Sequence, residues 1–341
     1  MNQTAHSLSL AVRRVRTRYA PDDRVTVFDV DVDHSTTVPT IRGVVSEPYL
    51  RERVLAAARD VRDEFDTAVR VLDASPRTVA VSVASVRGEP STDAEQVTQV
   101  LRGAAITAYE PDDQESQGHE GWTQVRVPDG YIGWIESTQL TDVADISPEH
   151  VICRRVDAGS TTLHAGTDIA VETVENGRTT GRLRTGEAVT VPADAVTRPK
   201  PPGGDEFVEI AKQFLGTEYE WGGITTEGID CSGLVWIPYY VAGVSLPRDA
   251  DQQRAMGPTI ARDNLKPGDL LFFPGHVAIS LGGDEYIHAY GDDDAVVISS
   301  LDPDAENYLE LHDDTFEMAI RILPRAGDEG MSTGEGEEND L

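Results

Sequence analysis

The chain has 341 residues and a formal net charge of -31, from 29 basic and 60 acidic residues. So acidic a surface repels polyphosphate, which excludes free nucleic acid as a partner, and a 39% hydrophobic content excludes a disordered chain. The acid is spread along the whole length, which points to solubility in concentrated salt, where screening removes self-repulsion, and so to a halophilic source.

The length calls for two or more domains. No apolar run reaches the roughly 18 residues of a membrane-crossing helix. The N-terminal stretch lacks the apolar core and small-residue cleavage site of a signal peptide. No membrane partner is expected, and the expected location is cytoplasmic. Two cysteines, Cys153 and Cys231, are too few for a disulfide framework. Cys153 reads as a small buried hydrophobe.

In chain order, residues 24–32 alternate apolar and charged side chains, which predicts a strand, and 40–45 predicts a second. Residues 47–65 carry Leu50, Val54, Leu55, Ala58, Val61 and Phe65 at helical spacing. A third strand follows at 69–72. This is a small α/β unit over 1–76 with no chemical constellation; His6 and His34 stand alone in it. Short strands at 79–86, 104–109, 122–127 and 131–135, punctuated by Gly, Pro and Asp, predict a small barrel over 77–143. Strands at 151–156, 161–164, 169–174, 178–183 and 188–191 predict a second barrel over 144–198, with His150 and His164 structural. Pro199, Pro201 and Pro202 stiffen a linker. The acidic segment 326–341, without an aromatic residue, reads as disordered.

The chemistry concentrates in 203–325. Phe207, Ile210, Ala211, Phe214 and Leu215 predict an amphipathic helix ended by Gly216. A glycine-rich loop then feeds Cys231 into the apolar run Leu234-Val235-Trp236-Ile237, predicting a helix from Cys231 to about Tyr240 with Pro238 as a kink. A helix start favours thiolate over thiol, which would activate Cys231 as a nucleophile. Strands are expected at 270–273, 276–281, 286–290, 296–299 and 318–323. Gly282 and Gly283 turn the second into the third, so that His276 and His288 lie side by side on a hairpin. His276 would be the base for Cys231 and His288 would orient it. Helices followed by an antiparallel sheet give the class α+β.

Several stretches occur together and in order: Tyr219-Glu220-Trp221-Gly222-Gly223, Asp230-Cys231-Ser232-Gly233-Leu234-Val235, Leu246-Pro247-Arg248, Leu265-Lys266-Pro267-Gly268-Asp269-Leu270, Gly275-His276-Val277-Ala278-Ile279 and Ile287-His288-Ala289. They resemble the NlpC family of papain-like cysteine peptidases of bacterial cell-wall peptides. Val83-Ala84-Ser85-Val86-Arg87, Gly121-Trp122 and Asp129-Gly130-Tyr131-Ile132-Gly133-Trp134-Ile135 resemble the SH3-like domains that precede such peptidases in murein-peptide recycling enzymes. The resemblance implies a papain-like catalytic domain preceded by two small SH3-like β-barrels and the N-terminal unit. It implies Cys231, His276 and His288 as the catalytic set, and Tyr219 and Ser232 lining the site. Asp230, Glu95 and Tyr131 would hold a substrate amine, and Arg248 would pair with a substrate carboxylate, the alternative being a structural salt bridge. No metal or cofactor is implied. The partner would be a small peptide with a free amine, cut at a γ-D-glutamyl amide through a thioester; the oligomeric state stays open. Ala250 departs from the recycling subgroup, which carries serine there. Two alternatives remain: an amidase or acyltransferase on another γ-glutamyl amide, and a non-catalytic wall-binding module.

Overall fold

The computed structural model describes residues 3–110, 119–200 and 204–322. The tail over 326–341, the end of the last expected strand and part of the proline linker lie outside the described residues. The chain divides into two compact units, Met1–Val196 and Thr197–Leu341.

The first unit opens with an element the sequence reading did not anticipate, helix α1 (Gln3–Tyr19). Leu8, Val12 and Val15 recur at helical spacing and are buried. Strand β1 (Phe28–Asp33) pairs antiparallel with β2 (Thr40–Val45); helix α2 (Pro48–Arg59) then leads to β3 (Asp66–Val71), parallel to β2. Leu8, Phe28, Ile41, Leu50, Val54 and Val69 form their common core. Helix α2 stops at Arg59, short of the expected Phe65, yet Val61 and Phe65 still pack on that core.

Seven strands follow: β4 (Ala74–Val79), β5 (Val83–Arg87), β6 (Gln96–Leu101), β7 (Ala105–Tyr109), β8 (Trp122–Arg126), β9 (Ile132–Glu136) and β10 (Leu140–Asp142). They form one sheet in the order β10-β4-β7-β8-β9-β5-β6. The expected strand at 79–86 is therefore two strands, because β4 pairs with β7 while β5 pairs with β6 and β9. Strand β6 escaped the sequence reading because one of its buried positions is polar. Thr98 is fully buried and donates to Asp129 Oδ2 at 2.8 Å, which breaks the apolar alternation.

Next come β11 (His150–Ile152), β12 (Val156–Ala158), β13 (Thr161–Leu163), β14 (Asp168–Glu175), β15 (Arg178–Arg182), β16 (Ala188–Pro192) and β17 (Val196–Thr197). They make a five-stranded sheet, β16-β15-β14-β11-β17, and a β12-β13 hairpin around Ile152, Leu163, Ile169, Leu183 and Val191. Cys153 is half-buried, not fully buried as expected, and its thiol donates to the Asp194 carbonyl at 3.6 Å.

The second unit contains α3 (Gly204–Lys212), β18 (Ile224–Thr225), β19 (Gly228–Ile229), α4 (Cys231–Val241), α5 (Ala250–Gln253), β20 (Thr259–Ile260), β21 (Leu270–Phe273), β22 (His276–Gly282), β23 (Glu285–Tyr290), β24 (Ala295–Ser300), α6 (Glu310–Thr315) and β25 (Met318–Ile320). Six of the strands make an antiparallel sheet ordered β20-β25-β21-β22-β23-β24. Helices α5 and α6 were not anticipated; four and six residues are too few to display a helical period. Helix α4 is apolar on every side, and Leu234, Val235, Trp236, Ile237, Tyr239 and Val241 are all buried. It packs on β22 and β23, and the Phe207 and Tyr239 rings, 4.3 Å apart, join it to α3. Separate helices and an antiparallel sheet confirm the α+β class.

Candidate active site

The site begins with a glycine-rich approach. Gly222 has φ +76°, a backbone that side-chain-bearing residues rarely adopt. A Cβ on Gly233, in the first turn of α4, would lie 2.3 Å from the Gly223 carbonyl oxygen. Loop and helix touch here only because Gly233 lacks a side chain.

Asp230 caps that helix. Its Oδ1 accepts from the Gly233 N–H at 2.7 Å and its Oδ2 from the Gly222 N–H at 2.7 Å. Arg248 adds two bonds, Nη1 to Oδ1 at 2.9 Å and Nη2 to Oδ2 at 2.8 Å, and Nη1 also donates to the Ser232 hydroxyl at 2.7 Å. Ser232 in turn donates to Asp230 Oδ1 at 3.2 Å. Relative exposure is 1% for Arg248, 4% for Asp230 and 6% for Ser232. Two expectations are thereby corrected. Arg248 is not a free cation awaiting a substrate carboxylate, and Asp230 has no oxygen left for a substrate amine. Both are spent holding the loop to the helix, and Ser232 is spent with them.

Cys231 is the first residue of α4, a free thiol, and 7% exposed. Burial first, then the neighbouring Asp230 charge, push its pKa up to about 12, against the lowering effect of the Val277 N–H, Arg248 and the Ser232 N–H. The expected activation by the helix start is thus outweighed in the resting site. A helix terminus contributes about 0.3–1 kcal/mol, less than the roughly 1.4 kcal/mol of one pKa unit, whereas full burial moves a group by about 3–5 units.

The hairpin forms as predicted. Ile279 pairs with Ile287 and Ser280 with Tyr286, so His276, Tyr286 and His288 share one face. His276 Nε2 and His288 Nδ1 are 3.0 Å apart, and His288 Nε2 lies 3.0 Å from Ser299 Oγ. Burial, then the charge His312 would carry, hold His276 down at about 3; burial, then His276 and His312, hold His288 down at about 2. Tyr219 is half-buried beside the thiol, its phenol pushed up by burial, then by Cys231 and Asp230.

Residues 216–310 match the NlpC/P60 family, and residues 86–140 match the bacterial dipeptidyl-peptidase SH3 domain. The Gamma-D-glutamyl-L-lysine dipeptidyl-peptidase of Bacillus subtilis is 30% identical over 218 residues, which cover 56% of this chain and 71% of that protein. The chain belongs to the NlpC/P60 family of cysteine peptidases. The Gamma-DL-glutamyl hydrolase of Bacillus subtilis is 37% identical over 123 residues, 33% of this chain and 28% of that one. A crystal structure of an NlpC/P60 family protein from Bacillus cereus shares the fold, with a TM-score of 0.61 and 21% identity, covering 73% of this chain and 100% of that one.

In this NlpC/P60 peptidase one buried histidine was missed from sequence. His312, on α6, is 3% exposed, stacks on Phe273 with ring centroids 4.2 Å apart, and bonds through Nδ1 to the Tyr286 hydroxyl at 2.9 Å. Its acidic neighbours make it read as solvated. His276, His288 and His312 bring ligand atoms within 4.8 Å of one another and are, among the described residues, a group able to hold a metal ion. The facing nitrogens of the first two are occupied by each other. Glu95 and Tyr131 belong to the first unit, Glu95 exposed and Tyr131 8% exposed within the barrel core. Among the described residues, no helix is long and apolar enough to cross a membrane.

Proposed function

We propose that the chain hydrolyses γ-D-glutamyl amide bonds in short cell-wall peptides that carry a free N-terminal amine, with Cys231 as nucleophile, His276 as base and His288 orienting that base. The observation that carries this reading is a free thiol at the start of α4, packed against the hairpin whose two histidines are hydrogen-bonded to each other.

Burial favours the neutral thiol and the neutral imidazole in the resting site. As Cys231 sulfur attacks the amide carbonyl carbon, its proton passes to His276 Nδ1, the nitrogen not engaged with His288. Burial penalises each charge alone, but thiolate and imidazolium formed together attract strongly in a dry site. The carbonyl π electrons move onto oxygen, near the N–H groups of the first turn of α4, where a helix start is positive. Collapse of the tetrahedral adduct expels the amine, which takes the proton from His276 and leaves a thioester. Water then attacks the thioester, His276 accepts its proton and returns one to sulfur, and the γ-carboxylate departs.

Glu95 and Tyr131 are assigned the free amine in this reading, because the match over 86–140 is to a dipeptidyl-peptidase SH3 domain. Cleavage of another γ-glutamyl bond is the second reading, favoured by the similarity to Gamma-DL-glutamyl hydrolase. The proposed location is cytoplasmic and the proposed setting is high salt, the latter resting on the charge of -31. The test is incubation with L-Ala-γ-D-Glu-diaminopimelate, its N-acetylated form and a panel of γ-glutamyl amides, with products read by mass spectrometry. Release of L-Ala-D-Glu only from the free-amine peptide supports the proposal. Equal cleavage of the acetylated form removes amine recognition, and cleavage confined to other amides selects the second reading.

A further inference from the structure

The base reading leaves a question of proton placement. His276 can take a proton from Cys231 only if its Nδ1 is bare and its other proton sits on Nε2. An isolated imidazole has both tautomers within reach, and the surrounding hydrogen bonds choose between them.

Phe273 pairs with His276, and Tyr286 pairs with Ser299 across the β23–β24 ladder, so all four belong, with His288, to one face of the sheet. His312 lies against this face, with ring centroids 5.2 Å from His276 and 5.1 Å from His288. Three hydrogen bonds run through the group, His276 Nε2 to His288 Nδ1 at 3.0 Å, His288 Nε2 to Ser299 Oγ at 3.0 Å and Tyr286 Oη to His312 Nδ1 at 2.9 Å. Ser299 and Tyr286 are direct cross-strand partners, and the serine hydroxyl beside the buried phenol tempers the rise in its pKa, which brings the second bond to the third.

We infer that Ser299, Tyr286 and His312 are positioning residues which set the tautomer of His276 through one directional chain of hydrogen bonds. The inference rests on the reading of His276 as the base. Its polarity follows from the sulfur end. A base that takes the Cys231 proton must present a bare nitrogen to it as the acceptor. With His276 Nδ1 as that acceptor, His276 Nε2–H donates to His288 Nδ1. His288 Nε2–H then donates to Ser299 Oγ, the Ser299 hydroxyl to the Tyr286 oxygen, and the Tyr286 hydroxyl to His312 Nδ1. Each group donates once and accepts once, and His312 ends the chain with its proton on Nε2. Reversing the first link, so that His288 Nδ1–H donates to His276 Nε2, moves the His276 proton to Nδ1, where it blocks transfer from the thiol. All members are buried except the half-buried His276, so bulk water does not scramble the order.

The test uses the full chain with ring-15N-labelled histidine and no substrate, His276 being assigned by loss of its signals in His276→Gln. The resting protein should show His276 Nδ1 unprotonated and Nε2 protonated. Tyr286→Phe keeps the ring in the core but frees the Ser299 hydroxyl to donate to His288. The spectrum should then show a mixture of His276 tautomers, and kcat should fall about tenfold or more with KM nearly unchanged. Ser299→Ala should act in the same direction. His312→Asn offers Oδ1 to Tyr286 and should keep the wild-type tautomer, whereas His312→Phe should behave as Tyr286→Phe. A proton on His276 Nδ1 in the resting protein, or Tyr286→Phe with tautomer and kcat both unchanged, overturns the inference. Because the spectra need no substrate, failure of the γ-glutamyl reading alone leaves the tautomer result standing.

Discussion

Arg248 grips Asp230 with both prongs of its guanidinium, at 2.8 and 2.9 Å, and the pair is sealed from water. The contact ties the residue before the thiol to a chain segment 18 positions away in sequence. Removing one partner of a buried pair strands the other charge, at a cost of about 3–5 kcal/mol. Arg248→Ala is expected to lower unfolding free energy by that order and to reduce kcat, as the start of α4 loosens. A substrate-binding arginine would instead raise KM and leave denaturant unfolding unchanged, so the two measurements decide the role.

Cys231→Ala should abolish turnover, and Cys153→Ala should not. The Cys153 thiol donates to the Asp194 carbonyl, and among the described residues no histidine bonds to it. Mass spectrometry after a pulse of iodoacetamide would check the pair; full activity in Cys231→Ala sinks the peptidase mechanism.

The resting thiol should behave as a thiol. With Cys231 pushed up to about 12 and His276 held down at about 3, alkylation without substrate should be slow at pH 7 and climb through alkaline pH. A rate already level between pH 5 and about 8 would instead report a preformed thiolate–imidazolium pair.

Acid should weaken the second unit earlier than carboxylate protonation alone would. His276 and His288 are held at about 3 and about 2, far below an unfolded value of about 6.5. Below that unfolded value the unfolded chain binds protons the native state refuses, so stability falls as pH drops from about 6.5 toward the folded values. Each histidine contributes a slope of up to about 1.4 kcal/mol per pH unit. His288→Asn should flatten the dependence of denaturant midpoint on pH between about 6.5 and 4.

Salt should stabilise the chain. With a net charge of -31, self-repulsion opposes the compact state, and screening shortens from about 10 Å at 0.1 M to about 3 Å at 1 M. The melting temperature is expected to rise between 0.1 and about 2 M KCl. A flat or falling curve would remove the high-salt setting.

Sequence alone determined what depends on neighbours along the chain. The loop-to-helix step at Cys231 is written in glycines followed by apolar residues, and the His276–His288 hairpin in two short apolar runs around Gly282 and Gly283. These are local signals of backbone freedom and periodicity, and α4, β21, β22, β23 and β24 formed within a residue or two of expectation. Helix α1 is equally legible, in Leu8, Val12 and Val15. Tertiary structure decided which side chains were already occupied. Arg248 and Asp230 carry the residue types of a substrate-binding pair, and only folding shows each consumed by the other. His312 joins the histidine group because α6 lays it on Phe273, and neither its acidic neighbours nor its distance along the chain announces that contact. The thiol's protonation was decided in the same way. Sequence shows the helix start that would lower its pKa, but burial, which raises it more, is a property of everything packed around Cys231 and exists only in the folded chain.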